Sequence, residues 1–366
     1  ENVKKIGIMT YHRANNYGAV LQAYALQKYL EKQNVESEII DYRSTYLEKA
    51  YRGITFSGNL KTKLGILSNL PICWLKEKKF DSFRNEYLKT SKKYLDDAII
   101  AADDNFDRFV FGSDQIWNYN LSGNDRYYLG AFIKNTGKLN SYAASFGTYR
   151  SDSEEYAQLL NRFENVSIRE ESGLKFFEKI TGRLDAKMVV DPVFLLTKDE
   201  WERLACRQNK KGYIFLYTLQ GKATQMMKVA QYLSKNTGLP IVEMQAWFRP
   251  KPGNVEPRFW DDPIDFLSWI KNADFVVTDS FHCTAFSIIF QKKFGVRIEE
   301  CEKQKNSRVG NLLYSLKLAS QIVPNDMVIW DYKQTPNFKV AEIELREAIQ
   351  NSKEFLNKII NKEIKK

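Results

Sequence analysis

The stretch IGIMTYHRANNYGAVLQAYALQKYLEKQNVESEIIDY, residues 6–42, decides the fold class. It opens on an apolar run, Ile6 to Tyr11, that reads as a strand. A polar turn, HRANNYG, follows, and AVLQAYALQKYLEKQ then carries its apolar residues at helical spacing. Another strand follows at Glu38 to Tyr42. Strand, helix and strand in that order make a βαβ unit, which implies a parallel sheet with helices on its faces.

The pattern continues outward from this unit. Further strands are predicted at Phe109 to Phe111, Asn140 to Ala144, Val166 to Ile168 and Met188 to Val190, ending in the turns GSDQIWN, SFGT, REESG and DP. Residues 46–95 interrupt the alternation with a segment rich in Lys, Arg, Tyr, Phe and Trp. Amphipathic helices there would cover the sheet, cap a cleft or rest on a membrane surface. After DPVFLLTKDEWERLACRQNKKG the alternation restarts, with strands at Tyr213 to Thr218, Pro240 to Met244, Phe275 to Thr278 and Lys293 to Ile298, and helices including Asp265 to Lys271 and TAFSIIFQ. The expected fold is therefore α/β: two Rossmann-like, doubly wound lobes with a cleft between them. The first lobe covers residues 1–196 with the basic, aromatic insertion at 46–95, and the second covers 197–340. The amphipathic helix within 341–366 is a candidate to pack back on the first lobe.

Composition agrees with that division. A chain of 366 residues holds two domains at roughly 100 to 200 residues each. With 43% apolar and 14% aromatic residues, disorder is excluded as the dominant state. Four cysteines (Cys73, Cys206, Cys283 and Cys301) and two histidines show no zinc-ligand spacing, so neither a structural metal nor a disulfide framework is expected and a reducing compartment fits. No signal-peptide segment opens the sequence, and no apolar run approaches the about 18 residues of a membrane span. A cytoplasmic protein is expected, with peripheral contact at the inner face of the membrane as a further possibility. Lys and Arg outnumber acidic residues by 55 − 45 = +10, which favours anionic partners. No nucleic-acid motif accompanies the charge, so nucleic acid is not among the expected partners, and the tail NKIINKEIKK reads as a solvated helix end.

In open α/β sheets, ligands bind outside the carboxyl ends of the strands, so the turns there hold the candidate site. His282, in the turn DSFHC with Asp279 and Ser280, follows a strand and opens a helix, whose exposed N–H groups favour anions. A histidine there can exchange protons near neutral pH, or it can be a hydrogen-bonded structural residue. His12 stands after the first strand, and Asn16, Tyr17 and Gly18 lead from its turn into a helix. This turn suits an anion or sugar hydroxyls, and equally a polar cap. It lacks the GxGxxG spacing of a nicotinamide fingerprint.

Ser113, Asp114 and Gln115 form another strand-end turn; Asp114 either caps a helix beginning at Gln115 or, with Gln115, orients a substrate hydroxyl. Arg169 offers a planar fork for carboxylate or phosphate, or a salt bridge to Glu170. Arg308, at the start of a late helix, has the same two readings. Asp191-Pro192 reads as the entry to the connection between lobes, and Cys283 as a small buried side chain rather than a thiol nucleophile.

Together the strings TYHRANNYGAVLQAYAL, FGSDQIWN, SYAASFGT, VSIREESG, VVDPVFLL and VVTDSFHCTAFSIIF resemble the polysaccharide pyruvyltransferase family, in order from about Lys5 to Leu318. The resemblance implies a fold like that of two-lobed, GT-B-like glycosyltransferases. It implies phosphoenolpyruvate as donor substrate, no separate cofactor or metal, and a lipid- or nucleotide-linked glycan precursor of a surface polysaccharide or exopolysaccharide as acceptor. The product would be a pyruvate ketal, with phosphate released. By resemblance His282 becomes the general acid and Arg169 a donor-binding fork, while His12, Asn16 and the Ser113 to Gln115 turn fall to the acceptor. One departure stands out: Ser280 occupies the position where relatives often carry an arginine, which leaves Arg308 or Arg169 to compensate. A nucleotide-sugar-dependent glycosyltransferase and a non-catalytic family member are the alternatives.

Overall fold

The computed structural model describes residues 5–52, 60–219, 223–245, 254–298 and 307–361. Residues 53–59 of the expected insertion, Cys301 and residues 362–366 of the basic tail lie outside the described residues. The chain divides into two compact units. Unit 1 comprises Glu1–Gly53, Arg84–Leu196 and Arg346–Lys366, and unit 2 comprises Ile54–Phe83 and Thr197–Leu345. Most of the sequence-defined insertion thus groups with the second unit.

Unit 1 is built on the strands β1 (Lys5–Met9), β2 (Glu36–Arg43), β3 (Thr90–Leu95), β4 (Arg108–Phe111) and β5 (Leu139–Ser141). They form one parallel sheet in the order β3-β2-β1-β4-β5. A short parallel pair, β6 (Ser167–Ile168) and β7 (Lys187–Met188), continues beside it through the bridges Asn140↔Asn165 and Ala144↔Ile168. The helices are α1 (Tyr17–Lys32), α2 (Thr45–Arg52), α3 (Leu60–Tyr87, which runs on from unit 2), α4 (Tyr119–Ser122), α5 (Glu154–Asn161) and α6 (Glu171–Thr181). Every residue of β4 is buried, as expected of a parallel strand covered on both faces. Each fully buried aliphatic or aromatic side chain contributes about 1.5–3 kcal/mol, so this layer carries much of the unit's stability. The strand β3, TSKKYL, has too few apolar residues to announce itself. Its lysines are exposed at the sheet edge, where charge guards against unwanted pairing.

Unit 2 repeats the plan. After α7 (Lys198–Leu204), the strands β8 (Ile214–Tyr217), β9 (Ile241–Met244), β10 (Val255–Arg258), β11 (Phe275–Thr278) and β12 (Lys293–Val296) form a parallel sheet in the order β10-β9-β8-β11-β12. The connecting helices are α8 (Ala223–Thr237), α9 (Pro263–Asn272), α10 (Phe281–Ile289) and α11 (Arg308–Ser315); α12 (Phe338–Asn361) begins in unit 2 and ends in unit 1. The strand β10 contains Pro257, which cannot donate to a ladder and is therefore placed at the edge. Among the described residues, no helix is long and apolar enough to cross a membrane.

Both sheets reverse their strand order beside the first strand, between β1 and β4 in unit 1 and between β8 and β11 in unit 2. A crevice opens at such a switch point, outside the carboxyl ends of the strands. The turns after β1, β4 and β11 carry His12, Ser113 to Gln115, and Asp279 to His282.

Candidate functional site

At the switch point of unit 1, the turn after β4 passes through Gly112 at φ +125°, where any Cβ would collide with the Tyr142 carbonyl oxygen. Ser113 is wholly buried beyond it. Its N–H donates to Gln22 Oε1 at 3.2 Å and its hydroxyl to Asp191 Oδ2 at 3.1 Å, while its carbonyl accepts from Thr10 Oγ1 at 3.3 Å. Gln22 Nε2 donates to Thr10 Oγ1 at 2.8 Å, tying α1 to the end of β1. Asp114 adopts a left-handed backbone at φ +67°, and no helix begins at Gln115. The expected helix cap is thus corrected: Ile116 and Trp117 instead enter the core, and α4 starts later, capped by Asn118, whose side chain accepts from Asn120 N. Gln115 Oε1 accepts from Asn118 Nδ2 at 3.0 Å.

His12 is buried between two acceptors. Its Nδ1 lies 3.3 Å from the Thr10 carbonyl, and its Nε2 lies 3.4 Å from Asp41 Oδ1. Burial opposes the charge on Asp41, yet the hydrogen bonds and charges of His12 and Arg43 outweigh it and hold the carboxyl well below its usual range. Beyond His12, the turn is fastened from α3. The Arg84 guanidinium donates to the Arg13 carbonyl at 3.3 Å and to Asn15 Oδ1 at 3.2 Å. Asn16 caps α1 by accepting from Ala19 N at 3.1 Å, and Tyr17 and Gly18 are buried in its first turn.

Arg169 follows β6 and is also buried. Three carboxylates surround its guanidinium: Asp191 at 2.6 Å from Nη1, Asp114 at 3.6 Å from Nη2 and Glu170 at 4.0 Å from Nε. Burial works against the cation, but Asp191, Asp114 and Glu170 together raise its pKa above the ordinary value. Glu170 is itself fixed by Ser145 Oγ at 3.0 Å and Phe146 N at 3.1 Å. Of the three acids, Asp114 has the most exposed side chain, 18% against 2% and 0%.

In unit 2, α10 starts at the end of β11. Ser280 is its N-cap, with Oγ accepting from Cys283 N at 3.3 Å and the carbonyl accepting from Thr284 Oγ1 at 2.8 Å. The Ser280 side chain therefore closes the first helical turn. Asp279 Oδ1 accepts from Leu219 N at 2.9 Å, joining the two turns of the switch point. His282 lies in the first turn of α10, buried, with its ring edge-on to Phe281 at 5.2 Å. Burial pushes the Cys283 thiol far above its usual range, which makes it a poor nucleophile. Arg308 is half-buried at the first position of α11, behind the cap Ser307. Among the described residues, no group of three or more His, Cys, Asp or Glu side chains is placed to hold a metal ion.

Sequence reasoning missed Gln22, Asp41 and Arg84, and read Asp191 only as a connection. Asp191 does cap the turn Pro192–Leu195, accepting from Val193 N at 3.1 Å, but its other oxygen gathers Arg169 and Ser113. An Asp-Pro pair signals the cap alone; the long-range partners leave no local trace.

A model of the family described as polysaccharide pyruvyl transferase matches residues 16–296. No curated protein matches the chain. Among solved structures, the UDP-GlcNAc 2-epimerase of Methanocaldococcus jannaschii in complex with UDP-GlcNAc and UDP has a TM-score of 0.50 at 12% identity, covering 94% of this chain and 98% of that one. The UDP-GlcNAc 2-epimerase of Neisseria meningitidis bound to UDP-GlcNAc gives 0.49 at 10% identity over 97% and 99% of the two chains. A UDP-glucosyltransferase from Polygonum tinctorium gives 0.42 at 10% identity over 99% of each. At these identities the likeness concerns the fold alone: parallel α/β sheets in two lobes, as in GT-B enzymes.

Proposed function

The chain belongs to the polysaccharide pyruvyl transferase family, and from that premise we propose that it moves a pyruvyl group from phosphoenolpyruvate to a sugar of a surface-polysaccharide precursor. The product is a pyruvate ketal, and phosphate is released. The observation that carries this reading is the position of His282 in the first turn of α10, at the switch point of its sheet.

The chemistry asks for a proton donor beside an anion-binding surface. In the proposed reaction His282 protonates the methylene carbon of the donor, and the adjoining carbon becomes electrophilic. One sugar hydroxyl attacks that carbon and loses its proton. The carbon–oxygen bond to phosphate then breaks, and a second hydroxyl closes the ketal. In the net balance one hydroxyl proton ends on the new methyl group and the other leaves with phosphate. The N-terminal end of α10 favours the donor's negative charge, and Arg308 is the cation assigned to it.

For the acceptor we assign Asp114, the most exposed acid around Arg169, as the group that receives or orients a sugar hydroxyl, with Gln115 beside it. Arg169 then acts as a positioning residue, because three carboxylates of its own unit already engage its charge. His12 serves in the same way, held between Thr10 and Asp41.

The test is phosphate release from phosphoenolpyruvate across a panel of lipid- and nucleotide-linked glycans, with mass spectrometry of the product. A gain of one pyruvate less one water on the glycan supports the reading. Glycosyl transfer from a nucleotide sugar, with no phosphoenolpyruvate turnover on any acceptor, would overturn it.

A further inference from the structure

Between Pro71 and Ser82, helix α3 carries large apolar side chains on two opposite sides. One side is packed: Phe80 and Phe83 are buried, and Lys76 lies over the Phe80 ring at 5.9 Å. The other side faces water and carries Pro71, Trp74, Leu75, Lys78, Lys79 and Ser82, all exposed. Trp74 is 55% and Leu75 39% exposed, and they stand one turn before Lys78 and Lys79, so the four share one surface strip. Lys78 Nζ lies 3.7 Å from the centre of the Trp74 ring, so cation and indole form a single patch. A core-covering helix needs only its packed side to be apolar. A second strip joining Trp and Leu to lysines has the composition of an interfacial helix, with its apolar side chains at headgroup depth and its cations toward anionic lipid.

We propose that this outer strip of α3 docks the protein on an anionic phospholipid surface. Charge complementarity selects the occupant: Lys78 and Lys79 are exposed there against one exposed glutamate, Glu77, in a chain of net charge +10. The proposal is independent of the reaction assigned above, and binding is measured without turnover.

The full chain is mixed with vesicles of phosphatidylcholine alone and of phosphatidylcholine with phosphatidylglycerol, and bound protein is separated by flotation. Binding to the anionic vesicles is expected to exceed that to the neutral ones by at least about tenfold and to weaken with salt. Trp74→Ser with Leu75→Ser, and separately Lys78→Glu with Lys79→Glu, should each lower it about tenfold, with unchanged circular dichroism confirming that both variants fold. In the wild type, lipid brominated near the headgroup should quench fluorescence that Trp74→Phe no longer contributes. Equal binding to both vesicle types, or anionic binding that survives both double substitutions, overturns the proposal. So does a wild-type dimer that the Trp74/Leu75 variant abolishes, since the strip would then be an interface between copies of the chain.

Discussion

Arg169 Nη1 donates to Asp191 Oδ2 at 2.6 Å, and Ser113 Oγ reaches the same oxygen at 3.1 Å, so one carboxylate atom ties three turns of unit 1 together. Breaking a buried ion pair by removing one partner costs about 3–5 kcal/mol, because the other charge is left uncompensated. Arg169→Met leaves three carboxylates facing one another and should destabilise the protein by about that amount in urea or guanidinium unfolding. Asp191→Asn should cost less, since an amide still accepts the hydroxyl. The double variant should fall short of the sum of the two. A loss under about 1 kcal/mol for Arg169→Met would show that the cluster does not hold the turns.

Asp41 gives a pH dependence with a definite sign. The folded pKa of Asp41 lies below that of an unfolded aspartate, about 3.9, so its stabilising contribution is complete above that value. As the pH falls through the folded value the carboxylate is protonated and the contribution disappears. Melting temperature followed from pH 7 down through the acid range should show a shallower decline for Asp41→Asn than for the wild type, from a lower starting point. Parallel acid limbs would mean that Asp41 is not the group responsible.

The doubly wound plan was legible because its central strands are continuous apolar runs, such as FVVT in β11, followed at once by cap residues and helical periodicity. The edge strands β3 and β10 were not: they carry few apolar residues, and their neighbours' ladders define them. His282 and Arg169 could be named as candidates because each follows a strand read from the sequence. Asp41 and Arg84 could not, since their roles come from contacts with His12 and Asn15 across 29 and 69 residues of chain, which no local pattern encodes.

Ser280 caps α10, and its side chain brings no charge to the end of β11. Replacing a serine N-cap by alanine typically costs about 1 kcal/mol, and aspartate caps as well as serine does. Ser280→Ala should therefore lower stability by about that amount, whereas Ser280→Asp should keep it. Ser280→Arg should lose the cap as alanine does while placing a cation at the end of β11. If donor binding is limited by charge there, phosphoenolpyruvate should then saturate at a lower concentration. Denaturant unfolding reads the first effect and the donor KM the second, so a silent outcome in one does not obscure the other.

His282 bears the chemical step in the proposed reaction, and two readouts together separate that role from a structural one. A general acid or base contributes about 10²–10⁴-fold, so His282→Gln should reduce phosphate release by at least about a hundredfold. The donor KM should change little, because the helix end and Arg308 are left in place. The pH profile is the sharper measurement. A general acid must be protonated to act, so the wild-type rate should fall on the alkaline side of its profile, and the glutamine variant should lose that limb while its residual rate stays flat. A hundredfold loss with the limb intact would move the proton to another group, because a histidine that only braces α10 can disturb the rate without setting its pH dependence.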